Sequence, residues 1–297
     1  MTPRQLLLAL IVVVLWGLNF VVVKLGLQGV PPLLLAALRF VLVAFPAVLF
    51  VPRPPVAWRW LLAYGLTISF GQFALLFSAL ALGMPSGLAS LVLQSQAFFT
   101  LGLSVLWLGE RIRPLQLAGL AVAVVGLLLI SEGSLQGGHP VPLIGLLLTL
   151  GAAAMWGTGN IVTKKIGPVP VLGLVVWGAL VPIGPFVLLS LLLEGPTAIA
   201  HSLTHLSLGS VGVVIYLALA ATLIGYSLWG RLLGELPTAS VAPLTLLVPV
   251  IGLSAGWVVL DEALRPLQIA GAGVVMAGLV INMLPRRRPA REQTPAG

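Results

Sequence analysis

Arg39 lies inside an apolar stretch, Pro31–Val51, several residues from either end. A charge at that depth in a bilayer costs about 2.5–3.5 kcal/mol on insertion scales, so it needs a wet cavity or a partner. A guanidinium binds a carboxylate through paired N–H donors. Arg39 is therefore a candidate for holding an acidic group of a small substrate. The alternative is that it snorkels or binds backbone carbonyls near a helix break. Amides and hydroxyls at similar depth extend the set: Asn19, Ser69, Gln72, Gln94, Asn160 and Thr245. Trp16 and Trp156 add aromatic faces that could hold an ammonium group. Trp16 and Asn19 stand about one turn apart, and Trp156, Asn160 and Lys164 follow i,i+4 spacing. Amides in lipid require partners. They either line a cavity for a zwitterion or bond helix to helix beside Gly17 and Gly157. Ser69 and Gln72 share a helix face. Gln94 and Gln96 diverge by about 200° on a regular α-helix, which keeps both from facing one cavity. Tyr226 and Trp229 are turn-spaced and suit lipid-facing packing or substrate contact equally.

The other charges sit at the ends of apolar stretches. Glu110 neighbours Arg111 and Arg113, and Glu262 lies near Arg265. Local pairing that fixes a turn is the expectation, with Glu110, Glu262, Lys24 and Pro249 as structural or gating positions. Lys164, beside Lys165, reads as a topology anchor. No Asp or Glu lies deep in an apolar stretch, and a buried carboxylate relay is the usual mark of a proton pump. Facilitated export or exchange needs none. There are no cysteines, which removes disulfides and thiolate chemistry. His201 and His205 have i,i+4 spacing but no supporting carboxylate, and read as polar loop residues. No metal and no cofactor is expected. A membrane-embedded enzyme would need clustered carboxylates, a His–Glu metal site or a Ser/His dyad. A channel would need symmetric polar rings. Neither pattern is present.

Apolar helices must position these residues. The chain of 297 residues is 59% hydrophobic and 7% charged, against about 25% charged in soluble domains. Its mean hydropathy is +1.15. Ten runs approach the roughly 20 apolar residues that cross a bilayer: 6–27, 31–51, 61–82, 86–108, 114–131, 142–163, 171–193, 209–233, 239–260 and 266–284. The first is long and lacks a small-residue cleavage site, so it reads as a retained helix. With a cytoplasmic N-terminus, the cytoplasmic segments hold Arg4, Arg53, Arg59, Arg111, Arg113, Lys164, Lys165 and Arg231, and the opposite face holds Arg265. That bias predicts both termini in the cytoplasm of an inner-membrane protein. The net charge of +8 includes a basic tail, Arg286, Arg287, Arg288 and Arg291. It reads as a segment held at anionic headgroups and not as a nucleic-acid patch. The expected partners are the lipid bilayer and a small-molecule substrate. The sequence sets no oligomeric state and is compatible with a monomer.

The chain repeats itself. Leu108-Gly-Glu-Arg-Ile-Arg-Pro-Leu-Gln-Leu-Ala-Gly119 aligns without gaps with Leu260-Asp-Glu-Ala-Leu-Arg-Pro-Leu-Gln-Ile-Ala-Gly271. The same register pairs Tyr64 with Tyr216 and Pro85 with Pro237. Trp16-Gly17 resembles Trp156-Gly157, each with a lysine eight residues on, Lys24 and Lys164. The expected units are 1–140, 141–285 and a basic tail, 286–297. Five spans per unit is an odd number, so the second unit enters from the other side. The fold class is thus an all-α integral membrane protein of ten transmembrane helices in two inverted five-helix repeats, a plan that puts the substrate near mid-membrane between the halves.

The stretches Leu15–Lys24, Ala37–Phe40, Tyr64–Phe70, Gly83–Gln94, Gly159–Lys165 and Leu247–Val250, with each fourth span closing on Gly-Glu or Asp-Glu, resemble the EamA-type branch of the drug/metabolite transporter superfamily. The resemblance covers nearly the whole chain except the tail. It implies a secondary transporter exporting small amino-acid-type metabolites of the cysteine/O-acetylserine class by alternating access. Aromatic amino acids, other metabolites and drugs are the alternative cargoes. Pro249 matches the family pattern inside the ninth span, but the aligned first-half residue is Ala97, which argues against a symmetric break in the fourth and ninth helices.

Overall fold

The computed structural model describes residues 1–135, 143–236 and 241–284, and those residues are helical with short links. The basic tail and His139 lie outside them. Ten apolar helices run in order: α1 (Pro3–Gly26), α2 (Pro32–Phe50), α3 (Trp58–Ala81), α4 (Ser86–Leu108), α5 (Pro114–Glu132), α6 (Leu143–Ile166), α7 (Val171–Glu194), α8 (Leu208–Glu235), α9 (Leu244–Leu260) and α10 (Pro266–Met283). Nine are long and apolar enough to cross a membrane, and α9 is shorter. Prolines open α1, α2, α5 and α10, where a missing N–H costs nothing. A capping box between Thr2 and Gln5 satisfies the first turn of α1.

Successive helices alternate in direction, and contacts between links define two faces. On the near face, which holds the N-terminus, Gln5 Nε2 donates to Glu235 Oε2 at 3.2 Å. On the far face the amides of Leu33 and Leu34, opening α2, donate to the Glu194 carboxylate at 2.6 and 3.1 Å. That carboxylate sits where a helix leaves amides unpaired and its dipole favours negative charge.

The packing obeys the repeat. Antiparallel α5 and α10 cross with Gly119 against Gly278 and Gly126 against Gly271, the close backbone approach that small residues permit in membranes. Gly17 of α1 packs on Ile251 and Val248, while its mate Gly157 of α6 packs on the aligned Phe99 and Gln96. α4 and α9 end alike, with left-handed backbone at Gly109 (φ 67°) and at the aligned Asp261 (φ 52°).

The irregular turns also match. A π-helical segment spans Gly65–Gly71 in α3 and Tyr216–Ile224 in α8. A 3₁₀ segment spans Leu93–Ser95 in α4 and Ala242–Leu246 at the start of α9. The fourth and ninth helices therefore do break at corresponding places, contrary to expectation. The break lies before the aligned Ala97/Pro249 position, so the proline ring is not what sets it.

Candidate functional site

A cavity of about 540 Å³ lies between the halves. It extends from Leu76 and Ser90 in the far half of the helices to Gly167–Val169 in the near-face link between α6 and α7. Trp16, Asn19, Arg39, Gln72, Gln94, Trp156, Asn160, Tyr226 and Thr245 all line it. Among the described residues, none that lines it is acidic.

Arg39 is 2% exposed. Its Nε and Nη2 donate to Thr222 Oγ1 on α8 at 3.2 and 2.9 Å, and its Cζ lies 4.1 Å from the Phe73 ring centroid. Thr222 can serve because its own hydroxyl donates to Leu217 O at 2.7 Å, five residues back along the π turn. Arg39 Nη1 has no partner. Two acceptors are also unpartnered, Asn19 Oδ1 and Gln72 Oε1. A buried polar atom without a partner is costly, so among the described residues the cavity presents one free buried cationic donor, Arg39 Nη1, and two free buried amide oxygens.

Asn160 is tied differently. Its Nδ2 donates to Gln96 Oε1 at 2.7 Å and to Thr100 Oγ1 at 3.0 Å, bonding α6 to α4. Trp16 packs on Tyr226 and Trp229 with centroids 5.2 and 5.4 Å apart. Tyr226 and Trp229 therefore form cavity wall and not a lipid-facing pair.

Three expectations about side chains need correction. Gln94 and Gln96 both line the cavity, because the 3₁₀ turn between them replaces the regular α-helical angle. Ser69 is buried but does not line the cavity, since the π segment removes it from the face of Gln72. The glutamates do not pair with neighbouring arginines. Glu262 binds Lys24 Nζ at 2.8 Å, and Glu110 binds Lys164. Each pair joins one half to the other, so Lys164 is an ion-pair partner as well as a near-face cation. Glu262 also accepts from Ser86 N, Ser86 Oγ and Gly87 N at 2.9, 2.7 and 3.2 Å. Pro249 is buried in α9 without lining the cavity. His201 lies in a short helix, Pro196–Thr204, that His205 closes, with the two rings stacked at 4.4 Å. Sequence reasoning missed Thr222 and Glu194. A hydroxyl deep in α8 was the available signal for the first.

Two repeated sets of helices around a largely apolar cavity that holds a few polar groups define a polytopic membrane carrier. The chain belongs to the EamA-like transporter family, whose profile matches residues 4–132 and again residues 143–284. It is 55% identical over 287 residues to a probable amino-acid metabolite efflux pump of Salmonella typhimurium, covering 95% of this chain and 96% of that one. Identity is 53% to the protein of the same description in Escherichia coli, with the same coverage. A probable terminal-alkyne amino-acid exporter of Streptantibioticus cattleyicolor is 28% identical over 94% of both chains. One solved crystal structure superposes with a TM-score of 0.63 at 20% identity, covering 95% of this chain and 96% of that one, and supports the fold.

Proposed function

We propose that the chain exports small zwitterionic amino-acid metabolites, of the cysteine and O-acetylserine class, by alternating access. The observation that carries this reading is the unpartnered Nη1 of Arg39 in a cavity without acidic residues. The substrate carboxylate takes that donor, as charge-assisted bonding favours. The ammonium takes Asn19 Oδ1 or Gln72 Oε1, with the face of Trp16 or Trp156 beside it. An organic cation would find no counter-charge here. The relatives described as amino-acid metabolite efflux pumps support the same substrate class. Residues 1–140 and 141–285 form the two carrier halves, with 286–297 as the basic tail. The basic bias supports a reading with both termini in the cytoplasm and the chain in the inner membrane. The chain relocates its substrate without converting it. A larger aromatic amino acid is the second reading, favoured by the cavity's volume and its aromatic wall.

Efflux from everted vesicles tests this. Unlabelled O-acetylserine should block efflux of labelled cysteine-type metabolites, and phenylalanine should not. Competition by phenylalanine alone would replace the first reading with the second.

A further inference from the structure

The repeat makes a prediction about a conformation that is not the one observed. Between the middle of the cavity and its far end, two bonds clamp the first half to the second. Tyr216 Oη donates to Leu15 O at 2.8 Å, and Trp16 Nε1 donates to Ala221 O at 3.0 Å. Each residue has a mate in the inverted half. Tyr64 corresponds to Tyr216, Met155 to Leu15, Trp156 to Trp16 and Ser69 to Ala221. The acceptors are equivalent in backbone too, since Ala221 and Ser69 both lie in the paired π segments. Such wide turns often sit at functional places in helices. The mates nevertheless make neither bond: among the described residues, the Tyr64 hydroxyl and the Trp156 indole N–H donate no hydrogen bond, and both side chains line the cavity. The ion pairs differ in the same sense. Lys24 and Glu262, on the far face, are 26% and 11% exposed, while Lys164 and Glu110, on the near face, are 55% and 45% exposed. The far-face ion pair is thus the more buried of the two, and the cavity lining runs out to the near-face link Gly167–Val169.

We propose that these groups are the gates, and that the carrier opens to the far face by exchanging one clamp for the other. In the second conformation Tyr64 Oη donates to Met155 O and Trp156 Nε1 donates to Ser69 O. Tyr216 and Trp16 release their acceptors, and burial passes from the Lys24–Glu262 pair to Lys164–Glu110. The exchange rests on the alternating-access reading above, and it gives Ser69, outside the cavity lining, a role through its carbonyl.

The chain has no cysteine, so single introduced cysteines report access. Leu76→Cys samples the far end of the cavity and Leu233→Cys the near end. A membrane-impermeant maleimide is applied from each side in turn, without substrate. In the otherwise unaltered chain, Leu233→Cys should react from the near face and Leu76→Cys should be shielded from the far face. Tyr216→Phe, which removes one hydroxyl, should raise far-face labelling of Leu76→Cys by about fivefold and slow labelling of Leu233→Cys. Glu262→Gln should do the same by roughly tenfold or more. If Glu262→Gln does not reach the membrane, Tyr216→Phe carries the test. Tyr64→Phe should act oppositely, lowering far-face labelling. Shifts in the same direction for Tyr216→Phe and Tyr64→Phe, or none for either, would overturn the exchange. Because substrate is absent from the assay, failure of amino-acid efflux with these shifts intact would count against the proposed cargo alone.

Discussion

Gly126 of α5 and Gly271 of α10 meet backbone to backbone: a Cβ on either would lie 2.7 Å from the carbonyl oxygen of the other. Gly126→Ala should therefore push the two helices apart and destabilise the chain by about 1–3 kcal/mol, as overpacking does. Gly102→Ala, where a Cβ meets nothing within 4 Å, serves as the control. Thermal unfolding of both variants in detergent measures the difference, and equal midpoints would contradict the close contact.

Arg39→Gln should cut efflux of labelled O-acetylserine at low substrate by roughly 10- to 100-fold, the loss expected when a charged hydrogen bond disappears. Thr222→Val should weaken efflux less, because it leaves the guanidinium in place while releasing two of its donors. Protein in the membrane is quantified alongside. Undiminished transport by Arg39→Gln would remove this residue from the site.

Both gate carboxylates resist protonation. Burial pulls the Glu262 carboxyl upward, but bonds from Lys24 and from the amide and hydroxyl of Ser86 outweigh it and hold the carboxyl below its ordinary value. The Lys164 bond likewise lowers Glu110, against a smaller upward effect of burial. A carboxylate lowered in the folded state adds stability above its unfolded pKa of about 4.3 and loses it as pH falls through the lowered value. The pairs should thus stay ionised through the neutral and mildly acidic range. Glu110→Gln and Glu262→Gln should alter stability and access while leaving the shape of the transport–pH profile above about pH 5 unchanged. Loss of proton-linked flux in either variant, with the fold intact, would show a titrating role instead.

Gln28→Cys and Arg111→Cys occupy exposed links on opposite faces. With a cytoplasmic N-terminus, an impermeant maleimide added to whole cells should label Gln28→Cys and spare Arg111→Cys. The reverse result would invert the orientation.

Much of this was legible in sequence, because bilayer thickness and the cost of buried charge act on single residues. Those two effects mark the helices and pick out Arg39, Asn19 and Gln72. The internal repeat needed only alignment. What escaped depended on departures from regular helix or on distant partners. Gln94 and Gln96 converge only because a 3₁₀ turn intervenes, and Ser69 leaves the face of Gln72 only because α3 widens. Glu262 has an arginine three residues away in sequence, yet its partner is Lys24, 238 positions distant. Local charge neighbours gave no warning, since the choice is made by which links meet at one face.

The glycine crossing of α5 and α10 is a contact that two separate, identical half-chains, inserted in opposite senses, would also make. Such a pair would carry every polar group twice, related by the symmetry axis. In the continuous chain the halves are free to diverge. Thr222 stands where the first half has Phe70, and a single deep arginine bonds to it. The covalent link thereby turns a symmetric shell into a chamber with a handed interior, charged on one side of the axis and not on the other.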